Sequence, residues 1–402
     1  MPYKVLLLFL CSLFLTGCWD NVEVQDRNYV FAIAIDKAPP TPKGLESMED
    51  YRMERDIEKM PLEQGKVDYA YTINLPIFTF ANLPGGQAGG SEEDPSWDLT
   101  LAGNSFMEVN REFSTRMSNP AFYEHLQTIV ISEEVAREGI SKPLDLFLRD
   151  HEMRRRMRIF VVPGDAKKFL NVKPRIESFP ALYLSEIPEN AEINPRMVHI
   201  ADLGEVSESL HTKRDFVLPR AIATKDEVKV AGCAIFKGDK MVGWLGEIDT
   251  AYMKWIRNYV EGGIIVIQDP DDHKGLINLE VTKAKVKVRP IVNEEGIKMA
   301  IDVKASFNLV EKYETHYKSA LDEDYIKILE KAAEDHMKNQ MKDTIQYVQR
   351  NFGADIFYFD VQMRRYQPDV WDEVKDQWDD IFKRLDTEIT VQASVKQIGT
   401  MK

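Results

Sequence analysis

The chain has 402 residues, 44% hydrophobic and 29% charged, with a formal net charge of -14 and a mean hydropathy of -0.35. This length predicts two or three domains, each able to bury a core. The acidic balance argues against nucleic acid or another polyanion as a partner, and it means that anionic headgroups repel the body, so attachment is expected to depend on the lipid and on protein neighbours rather than on a basic patch.

The first element is a leader. Lys4 precedes an apolar run over residues 5–15, too short for a membrane span, which needs about 20 apolar residues, but fitting the hydrophobic region of a secretory signal. The run ends in Leu15-Thr16-Gly17-Cys18. A cysteine at the first mature position is the thiol that receives a diacylglyceryl group, and no A-x-A-like site competes with it nearby. A plain signal peptide cut after Gly17 is the weaker reading. Residues 1–17 are therefore expected to be a lipoprotein signal peptide and Cys18 the lipidation site, held to a bilayer by acyl chains. Cys11 leaves with the leader, so Cys233 is the remaining thiol. Inside the apolar residues 228–236 it reads as a small buried hydrophobe.

Residues 29–35 read as a buried strand ending at Asp36. Pro39, Pro40, Pro42 and Gly44, with dense charge over 46–59, mark residues 39–66 as an exposed insertion. Strand character returns over 67–80. Gly85, Gly86, Gly89 and Gly90 lack a P-loop lysine and open no helix, so they read as a loop. Phe106, Val109, Phe113 and Met117 recur at helical spacing as far as Asn119-Pro120. A strand over 126–131, helices across 133–149 broken at Gly139-Ile140-Ser141, and a strand over 157–162 predict a parallel crossover. A short helix runs to Leu170. Pro174, Pro180, Pro188 and Pro195 then predict an irregular exit from the first domain.

The second half reads differently. Strands over 228–236 and 240–245 flank the turn pair Gly238-Asp239, and Ile248, Tyr252, Trp255, Ile256 and Tyr259 give the apolar face of a helix. Over 277–309 the pattern is antiparallel. Lys283, Lys285, Lys287 and Arg289 alternate with apolar residues, giving one wet and one dry face. A long helix capped by Asp322 carries Ile326, Leu329, Ala333, Met337, Met341, Ile345 and Val348 on one stripe, with Gly353 as its stop. A last helix holds Trp371 and Trp378 as core anchors, and a strand over 388–398 closes the chain. The fold class is α+β, with helices packed on one sheet face.

Few constellations suggest chemistry. The histidines, His125, His151, His199, His211, His273, His316 and His336, include no pair at zincin spacing, so no metal is expected. Asp269, Asp271, Asp272 and Gly275 do not match an EF-hand loop. Gly103-Asn104-Ser105 lacks the second glycine of a nucleophile elbow. The cluster Arg149, Glu152, Arg154, Arg155, Arg156 and Arg158 reads as a helix end paired with local carboxylates rather than an anion site. Binding or scaffolding ranks above catalysis, and no cofactor is expected.

A family pattern runs through these segments. It starts at Gly17-Cys18-Trp19-Asp20 and continues through residues 125–132, Glu134 to Ile140, and Leu148-Arg149-Asp150 with Glu152 to Arg155. It resumes at Ala231 to Lys237 with Lys240-Met241-Val242-Gly243, then Asn351-Phe352-Gly353-Ala354-Asp355, and ends with Trp371, Trp378, Phe382 and Ile398-Gly399-Thr400. In this order and spacing the chain resembles the Ger(x)C lipoproteins, the C subunits of nutrient germinant receptors of endospore-forming bacteria. It departs in a longer insertion at 39–66 and in Phe31-Ala32-Ile33-Ala34, where glycines are common. The resemblance implies a lipoprotein on the outer face of the inner spore membrane, beside integral membrane A-type and B-type subunits, the latter permease-like, with no enzymatic activity. It also implies three domains. Together with the change of pattern at Ile277, this gives an N-terminal mixed α/β domain over 18–205, a small middle domain over 206–276, and a C-terminal domain over 277–402 built as an antiparallel sheet with helices on one face. A solute-binding lipoprotein of an importer is the alternative, although it would need two similar α/β lobes. A cell-wall enzyme would need the missing constellation.

Overall fold

A computed structural model describes residues 26–38, 68–77, 95–150, 152–174, 177, 179–198, 201–270, 275–294, 296–313 and 323–398. Cys18, the 39–66 insertion, the glycine loop and Asp322 lie outside the described residues.

The first strand breaks in two. β1 (Asn28–Tyr29) leaves the main sheet to pair in parallel with Ala121–Phe122, while β2 (Ala32–Lys37) joins the main sheet. Tyr29 packs edge-on against Phe122 and His125, at ring distances of 5.6 and 5.1 Å, which holds β1 aside. β3 (Tyr69–Pro76) pairs antiparallel with β2 and with β4 (Ser96–Gly103), an edge strand that the apolar pattern does not announce. On one face Leu99 and Leu101 lie opposite Ile73 and Tyr71 in the core, and on the other its contacts to β3 are polar. Thr72 and Thr100 share a hydrogen bond of 2.9 Å, and the Asn74 amide donates to Ser96 and Asp98 at 2.9 and 2.7 Å.

Ser105 caps α1 (Phe106–Phe113) by accepting from the Glu108 N–H. The helix ends before Met117 because the Ser114 and Thr115 hydroxyls turn back onto the carbonyls of Arg111 and Glu112. After β5 (Ala121–Phe122) comes the expected crossover: β6 (Thr128–Ser132), α2 (Glu133–Glu138), α3 (Ser141–Arg149), then β7 (Arg158–Val162) parallel to β6. Gly139, at φ +133°, makes the break between the two helices. α4 (Lys167–Leu170) follows. The proline-rich stretch, expected to be irregular, is instead helical, with α5 (Pro180–Glu186) running into a 3₁₀ turn, Ile187–Glu192. Pro180 and Pro188 stand in first turns, where the missing N–H has no intrahelical partner to lose, so they start these helices rather than break them.

α6 (Leu203–Thr212) leads to a meander of β8 (Phe216–Ala223), β9 (Val228–Lys237) and β10 (Lys240–Leu245). It continues the first sheet, in the order β10-β9-β8-β7-β6-β2-β3-β4, but β7 and β8 share a single paired position, Val161 with Arg220. α7 (Glu247–Ile256) crosses to a second sheet of β11 (Ile264–Gln268), β12 (Leu276–Asn293), β13 (Gly296–Tyr313) and β14 (Asp386–Ile398). Its first three strands are antiparallel. β14 lies parallel to β13, because the chain between them crosses over through helices. These are α8 (Glu323–Asn351), α9 (Phe359–Tyr366), α10 (Pro368–Val374) and α11 (Trp378–Phe382). On α8, Leu329, Ala333, Met337, Met341, Ile345 and Val348 are buried, and Ile326 is only half-buried. Glu330 and Glu334 accept from the N–H groups of Val395 and Ala393, tying α8 to the edge strand β14. The fold is thus α+β and multidomain. Among the described residues no helix is long and apolar enough to cross a membrane.

Candidate functional site

The pattern Asn351-Phe352-Gly353-Ala354-Asp355 lies where α8, the β9–β10 hairpin and the last helices meet. Gly353, at φ +56°, ends α8 in the left-handed conformation, its N–H bonded to the Val348 carbonyl at 3.0 Å. Its own carbonyl accepts from Lys237 Nζ at 2.9 Å, and that ammonium also pairs with Asp379 at 2.7 Å. Phe352 lies over Gly243 of β10, where a Cβ would come within 2.3 Å of the ring. The pattern therefore clasps the middle hairpin to the C-terminal helices.

Asp355 is the polar centre of this clasp. One carboxylate oxygen accepts from the N–H groups of Phe357 and Phe359, at 3.3 and 3.2 Å. The other accepts from the Asp360 N–H at 2.8 Å and from the Trp378 indole N–H at 3.0 Å. Burial, with the charge of Asp360 next, pushes the Asp355 carboxyl upward against the pull of these donors. The Asp355 N–H donates to Asp215 at 2.8 Å, and burial pushes that carboxyl up to about 6. Beside them Tyr358, in the left-handed conformation at φ +63°, turns its ring under the guanidinium of Arg257 at 3.9 Å and that of Arg214 at 5.4 Å. Arg257 Nε donates to the Ile356 carbonyl at 2.5 Å. These groups bind segments of one chain together, and that is the chemistry they serve here.

Other sequence candidates have local structural partners. Arg149 pairs with Asp145, Arg154 with Glu124 and Arg158 with Glu189. Cys233 is fully buried 3.6 Å from the Thr250 hydroxyl, and burial pushes its thiol up to about 11. His336 shares a 3.1 Å hydrogen bond with Tyr252. His151, His199, His273, His316, Asp271 and Asp272 lie outside the described residues, and no three His, Cys, Asp or Glu among the described ones group to hold a metal. Trp378 is buried as expected, and Trp371 packs edge-on against it at 5.4 Å, partly exposed. Asp215, Arg257 and Tyr358 were not singled out from sequence. Each is one polar residue in an ordinary setting, and only the tertiary fold brings them together.

Residues 20–222 match the spore germination protein N-terminal domain, and residues 231–399 match the family described as spore germination B3/GerAC like, C-terminal. The chain belongs to the Ger(x)C family. The match between the two segments breaks inside the β8–β9 hairpin. Full-length relatives from Bacillus subtilis (strain 168) include spore germination protein YndF, 29% identical over 99% of this chain and 96% of the relative. Another is spore germination protein A3, 24% identical over 100% of this chain and 99% of its own length. The crystal structure of the GerBC protein superposes with a TM-score of 0.58, at 21% identity, over 82% of this chain and 96% of that one, and shares the fold.

Proposed function

We propose that this Ger(x)C protein is the lipid-anchored C subunit of a spore nutrient germinant receptor. Anchored through Cys18 on the outer face of the spore inner membrane, it docks on integral membrane A-type and B-type subunits and supports germinant signalling without turnover chemistry. The observation that carries this reading is the end-to-end match to spore germination proteins. Support also comes from the leader ending at Cys18 and from a polar network whose side chains join segments of the chain. The second half, a sheet crossed by late helices, does not repeat the first, which weighs against an importer's two-lobed solute-binding protein. We divide the chain into 18–205, 206–276 and 277–402, the middle unit supplying the β8–β10 meander and α7.

The test is nutrient-triggered germination of spores lacking this protein, complemented with the wild type or with Cys18→Ala. Loss of the nutrient response alone, restored by the wild type, supports the reading, while an unchanged response to every nutrient overturns it. Cys18→Ala should fractionate as soluble after a high-salt wash. Retention on membranes under that wash would reject the acyl tether.

A further inference from the structure

The C-terminal sheet buries one face under the helices and leaves the other open. On β12 the exposed face carries Lys283, Lys285, Lys287 and Arg289, and β13 adds Lys304 directly opposite Lys285. Arg289 pairs with Asp302. Lys283, Lys285, Lys287 and Lys304 make no ion pair among the described residues. Two like charges placed opposite each other across a ladder destabilise a sheet, and Lys285 and Lys304 stand so, while Lys287 lies opposite Asp302, the carboxylate that Arg289 pairs with. The β14 neighbours of Asp302 and Lys304 are the neutral Thr390 and Gln392, and with Lys285, Lys287 and Arg289 they line a depression of about 190 Å³. A chain with a net charge of -14 thus gathers four lysines without an ion-pair partner among the described residues on one open face, where Glu280, Asp302 and Glu388 are the acidic groups nearest in the ladder.

Aliphatic residues flank the charges. Ile264, Val266 and Leu276 are 53%, 41% and 50% exposed at one end of this face. Near the hairpin tip Ile291, two residues on from Arg289 and so on the same face, is 37% exposed. Cations bordered by apolar side chains match an anionic bilayer surface, where headgroup charge meets the boundary of the acyl region.

We infer that the open face of the C-terminal sheet is a docking surface for an anionic lipid bilayer. It attaches the body to the membrane and orients it there, independently of the acyl chain at Cys18. The inference deepens the proposed membrane role and rests on it for its setting, since a protein that works at a bilayer is one whose basic face meets lipid. It departs from the expectation read from net charge, which set a basic patch aside: the body's net charge repels anionic lipid, while this face attracts it.

The experiment uses the mature chain, 18–402, bearing Cys18→Ala so that no acyl chain contributes. Flotation with vesicles of phosphatidylglycerol and phosphatidylcholine in equal parts is compared with flotation on phosphatidylcholine alone. The expected result is flotation on the anionic vesicles only, lost as salt shortens the screening length. Combining Lys283→Glu, Lys285→Glu, Lys287→Glu and Lys304→Glu should weaken binding by at least about 100-fold, since each basic residue near an anionic surface multiplies affinity several-fold. Lys338→Glu with Lys342→Glu, on the exposed side of α8, should leave it unchanged. These lysines are exposed, so circular dichroism should report an intact fold in both variants. Absence of flotation, equal flotation on neutral vesicles, or flotation unchanged by the four sheet substitutions overturns the inference. So does binding fully competed by millimolar glycerol phosphate, which would mark a small-anion site. Because the acyl group is absent throughout, failure here leaves the Cys18 reading to its own high-salt test.

Discussion

At the scale of single residues, the buried polar groups decide more than the exposed charges. Asp355 satisfies four donors with two oxygens. Asp355→Asn keeps the shape but turns an NH₂ toward the donors of one oxygen, leaving two N–H groups unpaired. Each buried unsatisfied donor costs about 1–3 kcal/mol, so urea unfolding should show a loss of about 2–5 kcal/mol, and an unchanged midpoint would remove Asp355 from the centre of the clasp. Lys254 is a second such group, 2% exposed, its ammonium donating to the Ala191 carbonyl at 2.7 Å. Burial lowers its pKa from 10.5 to about 8. Between these values the unfolded chain binds the extra proton, so stability should rise with pH across that window, and below it the cost of the buried charge is fully present. Lys254→Met should raise the melting temperature at pH 7 and remove most of that rise. Melting curves whose pH dependence matches the wild type would contradict this. Cys233 was legible in the sequence because a small residue in an apolar run has one good place to go. Asp355 was legible only as part of a pattern, since nothing in one carboxylate announces four donors.

At the scale of elements, close approach explains why glycine stands at position 243. Its backbone does not need a positive φ. What it needs is room, because a Cβ would fall 2.3 Å from Phe352 Cε1. Gly243→Ala should force Phe352 away from β10 and cost about 1–3 kcal/mol, as overpacking does. The companion change Phe352→Leu in the same chain should recover part of that loss. An additive double variant would mean that the two residues do not press on each other. Elements with a strong apolar period were readable: the β6–β7 crossover, the stripe of α8 and the alternating β12 and β13. β4 was not, because only Leu99 and Leu101 of its residues reach the core while Ser96, Asp98 and Thr100 on its other face bond to Asn74 and Thr72 like an exposed strand. α5 was missed for a different reason, since its prolines signal a break unless the first turn is recognised. The clasp was readable as motifs but not as a site. Gly243 and Phe352 lie far apart in sequence, and no local pattern says that they touch.

At the scale of the whole molecule, the β8–β10 meander is what joins the two ends. Its residues alternate between two cores. Val217, Cys233, Ile235 and Leu245 face the core of the C-terminal sheet and helices. Phe216, Leu218, Ala234, Phe236 and Met241 face the core of the N-terminal domain. Since the side-chain period of a strand is two, neither core can loosen without exposing one face of a sheet that the other still holds. The single β7–β8 pairing would be a weak hinge in isolation. Sandwiched in this way, it joins two bodies that should unfold together. Calorimetry of the mature chain should therefore give one cooperative transition. Phe236→Ala and Ile235→Ala, adjacent and both fully buried, remove side chains from opposite cores. Each should cost about 2–5 kcal/mol and shift that same transition. If the two substitutions moved separate transitions, the meander would belong to one body alone, and a signal arriving at the C-terminal sheet would have no packed route to the N-terminal domain.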